Sequence, residues 1–173
     1  MRSKVDHKRI DWGHIQRRRS RTIQHPWGSF HLQDMCPLFF ATHTPMLYVQ
    51  EDRDVVAHLE VTPLLLLHKG VFFSDGNCAS PATDVFYDLE DLECLDWDII
   101  LFERNCWSRE YKRVKAAEVL VPEQVHPVFI KRIHVRTEIV RLRVEAALRE
   151  DARENGDTSH KCEIVVSPDL YEF

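Results

Sequence analysis

The sequence predicts an α+β fold built as one domain, and three observations carry that expectation. A chain of 173 residues with 44% hydrophobic and 29% charged side chains has the length and balance of a single globular unit with a sizeable core. Segments of strand and helix period are interspersed along it without the regular strand–helix–strand rhythm of a doubly wound sheet. Its five glycines form no Gly-x-Gly-x-x-Gly or phosphate-loop pattern, which closes the two glycine-rich routes to a nucleotide.

The elements follow in order. Residues 14–21, His-Ile-Gln-Arg-Arg-Arg-Ser-Arg, fit either one or two helical turns or an extended basic segment. Residues 36–41 read as a strand that runs through Thr42-His43-Thr44-Pro45 into a short helix, Met46-Leu47-Tyr48-Val49, because proline is tolerated in a first turn. Alternation of apolar and polar residues predicts a strand over 55–61. Val71-Phe72-Phe73-Ser74 is another, stopped by the turn signal Asp75-Gly76-Asn77. Leu89, Leu92 and Leu95, three apart with acids between, predict a short amphipathic helix over 88–95. A strand is expected over 114–121, stopped by Pro122, then a strand over 130–135, a long helix over 138–154 and a closing strand over 162–166. The first 13 residues are expected to be flexible.

Several function classes are disfavoured. The apolar run at residues 63–67 is too short to cross a bilayer, and Arg2, Ser3 and Lys4 follow Met1 where a signal peptide would turn apolar. A cytoplasmic address and no membrane partner are the expectations. The five cysteines are widely spaced without a Cys-x-x-Cys pair, and the ten histidines contain no helical His-x-x-x-His pair, so no metal is expected. Charge is uneven. Residues 1–25 carry eight basic side chains against two acidic ones, while the remainder carries fifteen against twenty-six. A basic arm on an acidic body suits a polyanion, either nucleic acid or a pyrophosphate, and equally describes a solvated terminus.

Glu118 is the residue most in need of explanation. Its neighbours Ala116, Ala117, Val119, Leu120 and Val121 are apolar, and a carboxylate facing the core unpaired is costly. Strand alternation allows it to face a cleft or solvent. Taken locally, a surface ion pair with Lys112, Arg113 or Lys115 is the commoner arrangement.

The neighbouring segments change that balance. Pro37-Leu38-Phe39-Phe40 precedes Pro45-Met46-Leu47-Tyr48. Then come Val71-Phe72-Phe73-Ser74-Asp75-Gly76-Asn77-Cys78-Ala79, Phe86-Tyr87 and Leu95-Asp96-Trp97. They are followed by Lys112-Arg113-Val114-Lys115-Ala116-Ala117-Glu118-Val119-Leu120-Val121-Pro122 and a terminal Val166-Ser167-Pro168-Asp169-Leu170-Tyr171. In that order and spacing, from about residue 14 to 173, the chain resembles the DarT family of DNA ADP-ribosyltransferase toxins. The resemblance implies an ADP-ribosyltransferase-like split mixed sheet with peripheral helices over residues 1–173. It implies NAD as co-substrate, single-stranded DNA as acceptor, and a macrodomain antitoxin that removes the mark.

Roles follow by position. Breaking the nicotinamide–ribose bond builds positive charge on the ribose, which a carboxylate beneath the ring stabilises. The same group can take a proton from a base nitrogen. The resemblance assigns this to Glu118. It also implies an arginine from the His-Ile-Gln-x-Arg-Arg segment, Arg19 by register with Arg18 as its neighbour, whose planar fork suits pyrophosphate or a base edge. Phe39, Phe40 and Tyr48 offer flat faces to nicotinamide or a base, although Phe39 and Phe40 are equally at home in a core. Asn77 can read a base edge or simply serve the turn. Arg113, with Arg104, Arg109 and Lys112, can meet phosphates or form a solvated charge run.

Two departures modify the expectation. Family members open with a histidine-bearing strand that helps hold NAD, and this chain starts after it, so an N-terminally short domain is expected. The family's arginine ahead of Pro-Met-Leu is replaced by Thr42-His43-Thr44, and His43, mostly neutral at pH 7, substitutes for it only in part as a DNA contact. The alternatives are a DarT-like nucleic-acid-binding module impaired in catalysis, and a transferase acting on RNA or protein.

Overall fold

The computed structural model describes residues 19–25, 28–50, 56–102, 108–155 and 162–172. Arg18, with the rest of the basic arm ahead of Arg19, and Arg104 lie outside these residues.

The chain enters through an antiparallel hairpin, β1 (Thr22–His25) and β2 (Gly28–His31), in register from Thr22 opposite His31 to His25 opposite Gly28. Gly28 opens β2 at φ 139°, backbone that residues with a side chain rarely adopt. Next come β3 (Met35–Phe39), a single helical turn α1 (Pro45–Tyr48), β4 (His58–Val61), β5 (Phe72–Ser74) and β6 (Val85–Phe86). The second half contains α2 (Arg109–Lys115), β7 (Glu118–Pro122), β8 (Ile130–Val135), α3 (Glu138–Asn155) and β9 (Glu163–Val166).

Three sheets result. A four-stranded antiparallel sheet has the order β3-β7-β5-β6, and a three-stranded sheet has the order β4-β8-β9. The hairpin is the third. In the three-stranded sheet β8 and β9 are parallel, which requires a crossover, and α3 supplies it. The arrangement is the α+β fold the sequence predicts, with a split and mixed sheet.

Strand β7 organises the interior because both its faces are covered. Val119 and Val121 point into one core with Leu65, Val71, Phe73, Leu95, Ile100 and Val114. Leu120 points the other way, into a core with Ile23, Leu32, Met35, Phe72 and Cys78 that the hairpin closes. By the two-residue strand period Glu118 shares the Leu120 face. Its charge is therefore directed inward, toward the hairpin.

The structure corrects the local reading in places. Residues 114–121 are not one strand: Val114 and Lys115 end α2, and β7 begins at Glu118. Ser108 caps α2 by accepting from the Tyr111 backbone N–H at 3.1 Å, and a Glu110–Arg113 pair one turn apart supports it. Residues 89–94 form a 3₁₀ helix, not an α-helix, and the three-residue leucine spacing matches its three-residue turn. The hairpin and β6 carry too few residues each for periodicity to reveal them. The predicted strand over 55–61 is shorter, with Val55 outside the described residues. The other elements lie within a residue or two of expectation.

Candidate active site

Glu118 is 2% exposed, and its partner is Arg19, whose Nη1 lies 3.0 Å from Oε2. None of the three nearby basic residues reaches that carboxylate through a described contact. Lys115 Nζ donates to the Ile100 carbonyl at 2.8 Å, and Arg113 turns to other acids. The break between α2 and β7 at Ala116 and Ala117 redirects them.

Arg19 is held just ahead of β1, where its Nε donates to the Leu32 carbonyl at 3.4 Å. Its remaining terminal nitrogen, Nη2, is buried without a hydrogen-bond partner among the described residues. A buried orphan donor on a guanidinium is costly unless a ligand acceptor completes it. The donor set fits an anionic or hydroxyl-bearing ligand seated against Glu118.

The backbone of Glu118 is secured separately. Its N–H donates to Ser74 Oγ at 3.1 Å, and the same hydroxyl lies 3.3 Å from the Glu118 carbonyl and 2.7 Å from that of Gly76. Burial pushes the Glu118 pKa above the usual carboxylate value. The Arg19 charge and hydrogen bond, and the Cys78 backbone N–H and thiol, pull in the opposite direction without reversing it. The Cys78 thiol, fully buried beside this carboxylate, is pushed up to about 12, first by desolvation and then by the Glu118 charge. A carboxylate kept ionisable but with a raised pKa has the character of a general base.

The other candidates divide. Phe39 pairs directly with Glu118 across β3 and β7, so the two side chains share a sheet face. Phe40 belongs with the opposite core, edge-on to Trp97 at 5.2 Å. Tyr48 is 46% exposed at the end of α1, where Thr44 Oγ1 accepts from the Leu47 N–H at 3.4 Å. His43 is half-buried, with Nδ1 at 3.2 Å from Thr42 Oγ1. Asn77 Oδ1 accepts from the Ala79 N–H at 2.9 Å, the turn chemistry that Asn supplies. Arg113 is engaged by Asp75, Glu110 and Thr83.

Glu118, Arg19 and Phe39 are thus brought together, with Ser74 and Cys78 as members the sequence did not nominate. Ser74 is adjacent to Glu118 only because β5 and β7 pair with Phe73 opposite Val119. A pocket of about 320 Å³, lined in part by Leu66, Lys69, Tyr87 and Asp88, includes none of the five, and the buried ion pair locates the site better. Among the described residues no cluster of three or more His, Cys, Asp or Glu is arranged to hold a metal, and no helix is long and apolar enough to cross a membrane.

A family model described as the single-stranded-DNA thymidine ADP-ribosyltransferase DarT matches residues 2–172. The chain belongs to the DarT family. A DNA ADP-ribosyl transferase of Thermus sp. (strain 2.9) is 32% identical over 127 residues, covering 65% of this chain. The chain spans 58% of the length of that curated relative. The structure of Thermus sp. 2.9 DarT in complex with ADP-ribosylated single-stranded DNA superposes with a TM-score of 0.81 at 24% identity, over 96% of this chain and 82% of that one. The same protein in complex with NAD+ gives 0.77 at 23% identity, over 90% and 81%. Thermosipho africanus DarTG in complex with ADP-ribose gives 0.71 at 20% identity, over 96% of this chain and 43% of that one. At these identities the superpositions establish the DarT fold.

Proposed function

We propose that the chain transfers ADP-ribose from NAD to a base of single-stranded DNA. The observation that carries this is the buried Arg19–Glu118 pair in a DarT fold. Relatives of that fold are described in complex with NAD+ and with ADP-ribosylated single-stranded DNA. Glu118 and Arg19 are the catalytic residues of this reading. Phe39 shares the sheet face of Glu118 across β3 and β7 and is the aromatic candidate beside it, and Tyr48 and His43 lie on the segment that follows.

The chemistry follows from the site. The bond from ribose C1′ to nicotinamide breaks, and nicotinamide leaves with the electron pair. The Glu118 carboxylate stabilises the positive charge left on the ribose, where low dielectric strengthens the interaction. A base nitrogen forms the new bond to C1′, and its proton passes to Glu118, whose raised pKa makes it a stronger base. The Nη2 donor of Arg19 offers a hydrogen bond to a phosphate or ribose oxygen of the substrate. In the family's toxin–antitoxin setting the partner is a macrodomain enzyme that reverses the mark.

The test is transfer of label from NAD to single-stranded oligonucleotides of defined base, with an RNA and a protein acceptor alongside. Label is expected on DNA containing thymine and is expected to vanish in Glu118→Gln. Equal transfer by wild type and Glu118→Gln would overturn the mechanism, and label only on RNA or protein would overturn the acceptor.

A further inference from the structure

We propose that Arg113 is a positioning residue for Glu118, acting through the turn of residues 75–83 rather than by touching a ligand. This deepens the reading of Glu118 as the catalytic carboxylate and rests on it.

Arg113 grips that turn at both ends. Its Nη1 donates to Asp75 Oδ1 at 3.0 Å and to Thr83 Oγ1 at 3.1 Å. Its Nε and Nη2 donate to Glu110 Oε1 at 3.0 and 2.8 Å. Its backbone carbonyl accepts from the Asn77 N–H at 2.9 Å, so one residue holds the beginning, middle and end of the turn. The side chain is 12% exposed, and each of its three nitrogens already has an acceptor. A phosphate would have to displace one of two carboxylates that balance its charge.

Close packing reinforces the grip. A Cβ at Gly76 would lie 2.4 Å from Arg113 Nη1 and 2.9 Å from the Arg113 carbonyl. Glycine is needed there because the arginine passes against bare backbone. The turn delivers its contents to Glu118 from both sides of Gly76. Ser74, before it, holds the Glu118 main chain. Gly76 itself is tied to that serine, whose Oγ donates to its carbonyl at 2.7 Å, and the fully buried Cys78 after it favours the ionised carboxylate through its backbone N–H and thiol. Arg21 fastens the far end of the turn to the hairpin through the Thr83 carbonyl at 2.6 Å. The groups facing Glu118 are therefore Arg19 from ahead of β1, Ser74 from the end of β5 and Cys78 from this turn, while the Arg21 charge acts on the Cys78 thiol.

Loosening the turn withdraws a donor from the ionised carboxylate, which raises the pH at which Glu118 titrates. The experiment is a ¹³C NMR titration of glutamate-labelled protein, with the Glu118 resonance identified by its loss in Glu118→Gln. Arg113→Gln removes the grip together with the charge, whereas Gly76→Ala displaces the guanidinium and leaves its charge in place. Both are expected to raise the Glu118 midpoint by about one pH unit, the size of one lost charge-assisted hydrogen bond. Arg113→Lys is expected to fall between them and wild type.

Transfer kinetics supply a second readout. A positioning role lowers kcat and leaves the oligonucleotide KM and its salt dependence unchanged. An unmoved midpoint in folded Gly76→Ala overturns the proposal, as does a raised oligonucleotide KM with a shallower salt slope at constant kcat. Should Arg113→Gln not fold, Gly76→Ala and Arg113→Lys decide the matter. Should wild type transfer no label, the functional reading fails while the titration still judges the positioning role.

Discussion

Replacing Arg19 by methionine leaves the Glu118 carboxylate buried with its main counter-charge gone. Nη1 and Oε2 are 3.0 Å apart in the wild-type protein. At an effective dielectric of about 20, unit charges at that distance attract by about 5 kcal/mol. Removing one partner of such a buried pair costs about 3–5 kcal/mol, because the other remains desolvated. A domain of this size has only about 5–15 kcal/mol in total. The loss depends on pH, and its sign follows from linkage. The Glu118 pKa is already raised by burial and rises further without Arg19. A carboxylate with a raised folded pKa destabilises the fold least below its unfolded value, and stability falls as pH climbs toward the folded value. Urea denaturation at pH 4.5 should therefore show a deficit of about 1 kcal/mol for Arg19→Met, from the hydrogen bonds lost. At pH 8 the deficit should grow to about 3–5 kcal/mol. The double variant Arg19→Met/Glu118→Gln has no buried charge to strand, so it should recover to within about 1 kcal/mol of wild type and lose the pH dependence. A deficit equal at both pH values and unrelieved in the double variant would refute the ion-pair account.

Three further outcomes follow from the same structure. Glu118→Gln alone removes a desolvated carboxylate but strands the buried Arg19 guanidinium, so its Tm relative to wild type should shift in the variant's favour as pH rises from 4 to 8; a pH-independent difference would contradict the raised pKa. Leu120→Ala, in the fully buried centre of β7, should cost about 2–5 kcal/mol by chemical denaturation, whereas Leu64→Ala, at 63% exposure, should stay within about 0.5 kcal/mol. Glu60 is held below the usual carboxylate range first by the His134 hydrogen bond and then by Arg132. Its contribution is present above the ordinary carboxylate pKa and lost as pH falls through the lowered one, so the Tm gap between wild type and Glu60→Gln should close on acidification from pH 7 to pH 3.

Much of the frame was legible in one dimension. Periodicity and turn residues located β3, α1, β5, β8, α3 and β9, since each is a run whose own side chains define a face. The order of motifs singled out Glu118 and the arginine segment. Local pattern went astray at residues 114–121, where the apolar run spans a helix end and a strand start; Val114 and Val119 face the same core from different elements. It did not contain the setting of Arg113, read as a phosphate contact or part of a solvated charge run, which is largely buried against Asp75, 38 residues away.

What the sequence by itself determined is the inventory: an acid within an apolar strand, a family order of segments, and the elements that carry them. Tertiary structure alone decided how that acid is answered. Three basic residues lie within six positions of Glu118, yet its ion pair is with Arg19, 99 residues away. The physical reason is the direction of the side chain. Glu118 faces the hairpin side of β7, and among the described residues the basic side chain that meets it there is Arg19, from the segment entering that hairpin. Ser74 and Cys78 join it through the pairing of β5 with β7 and the turn that follows, relations a linear reading of spacing does not contain.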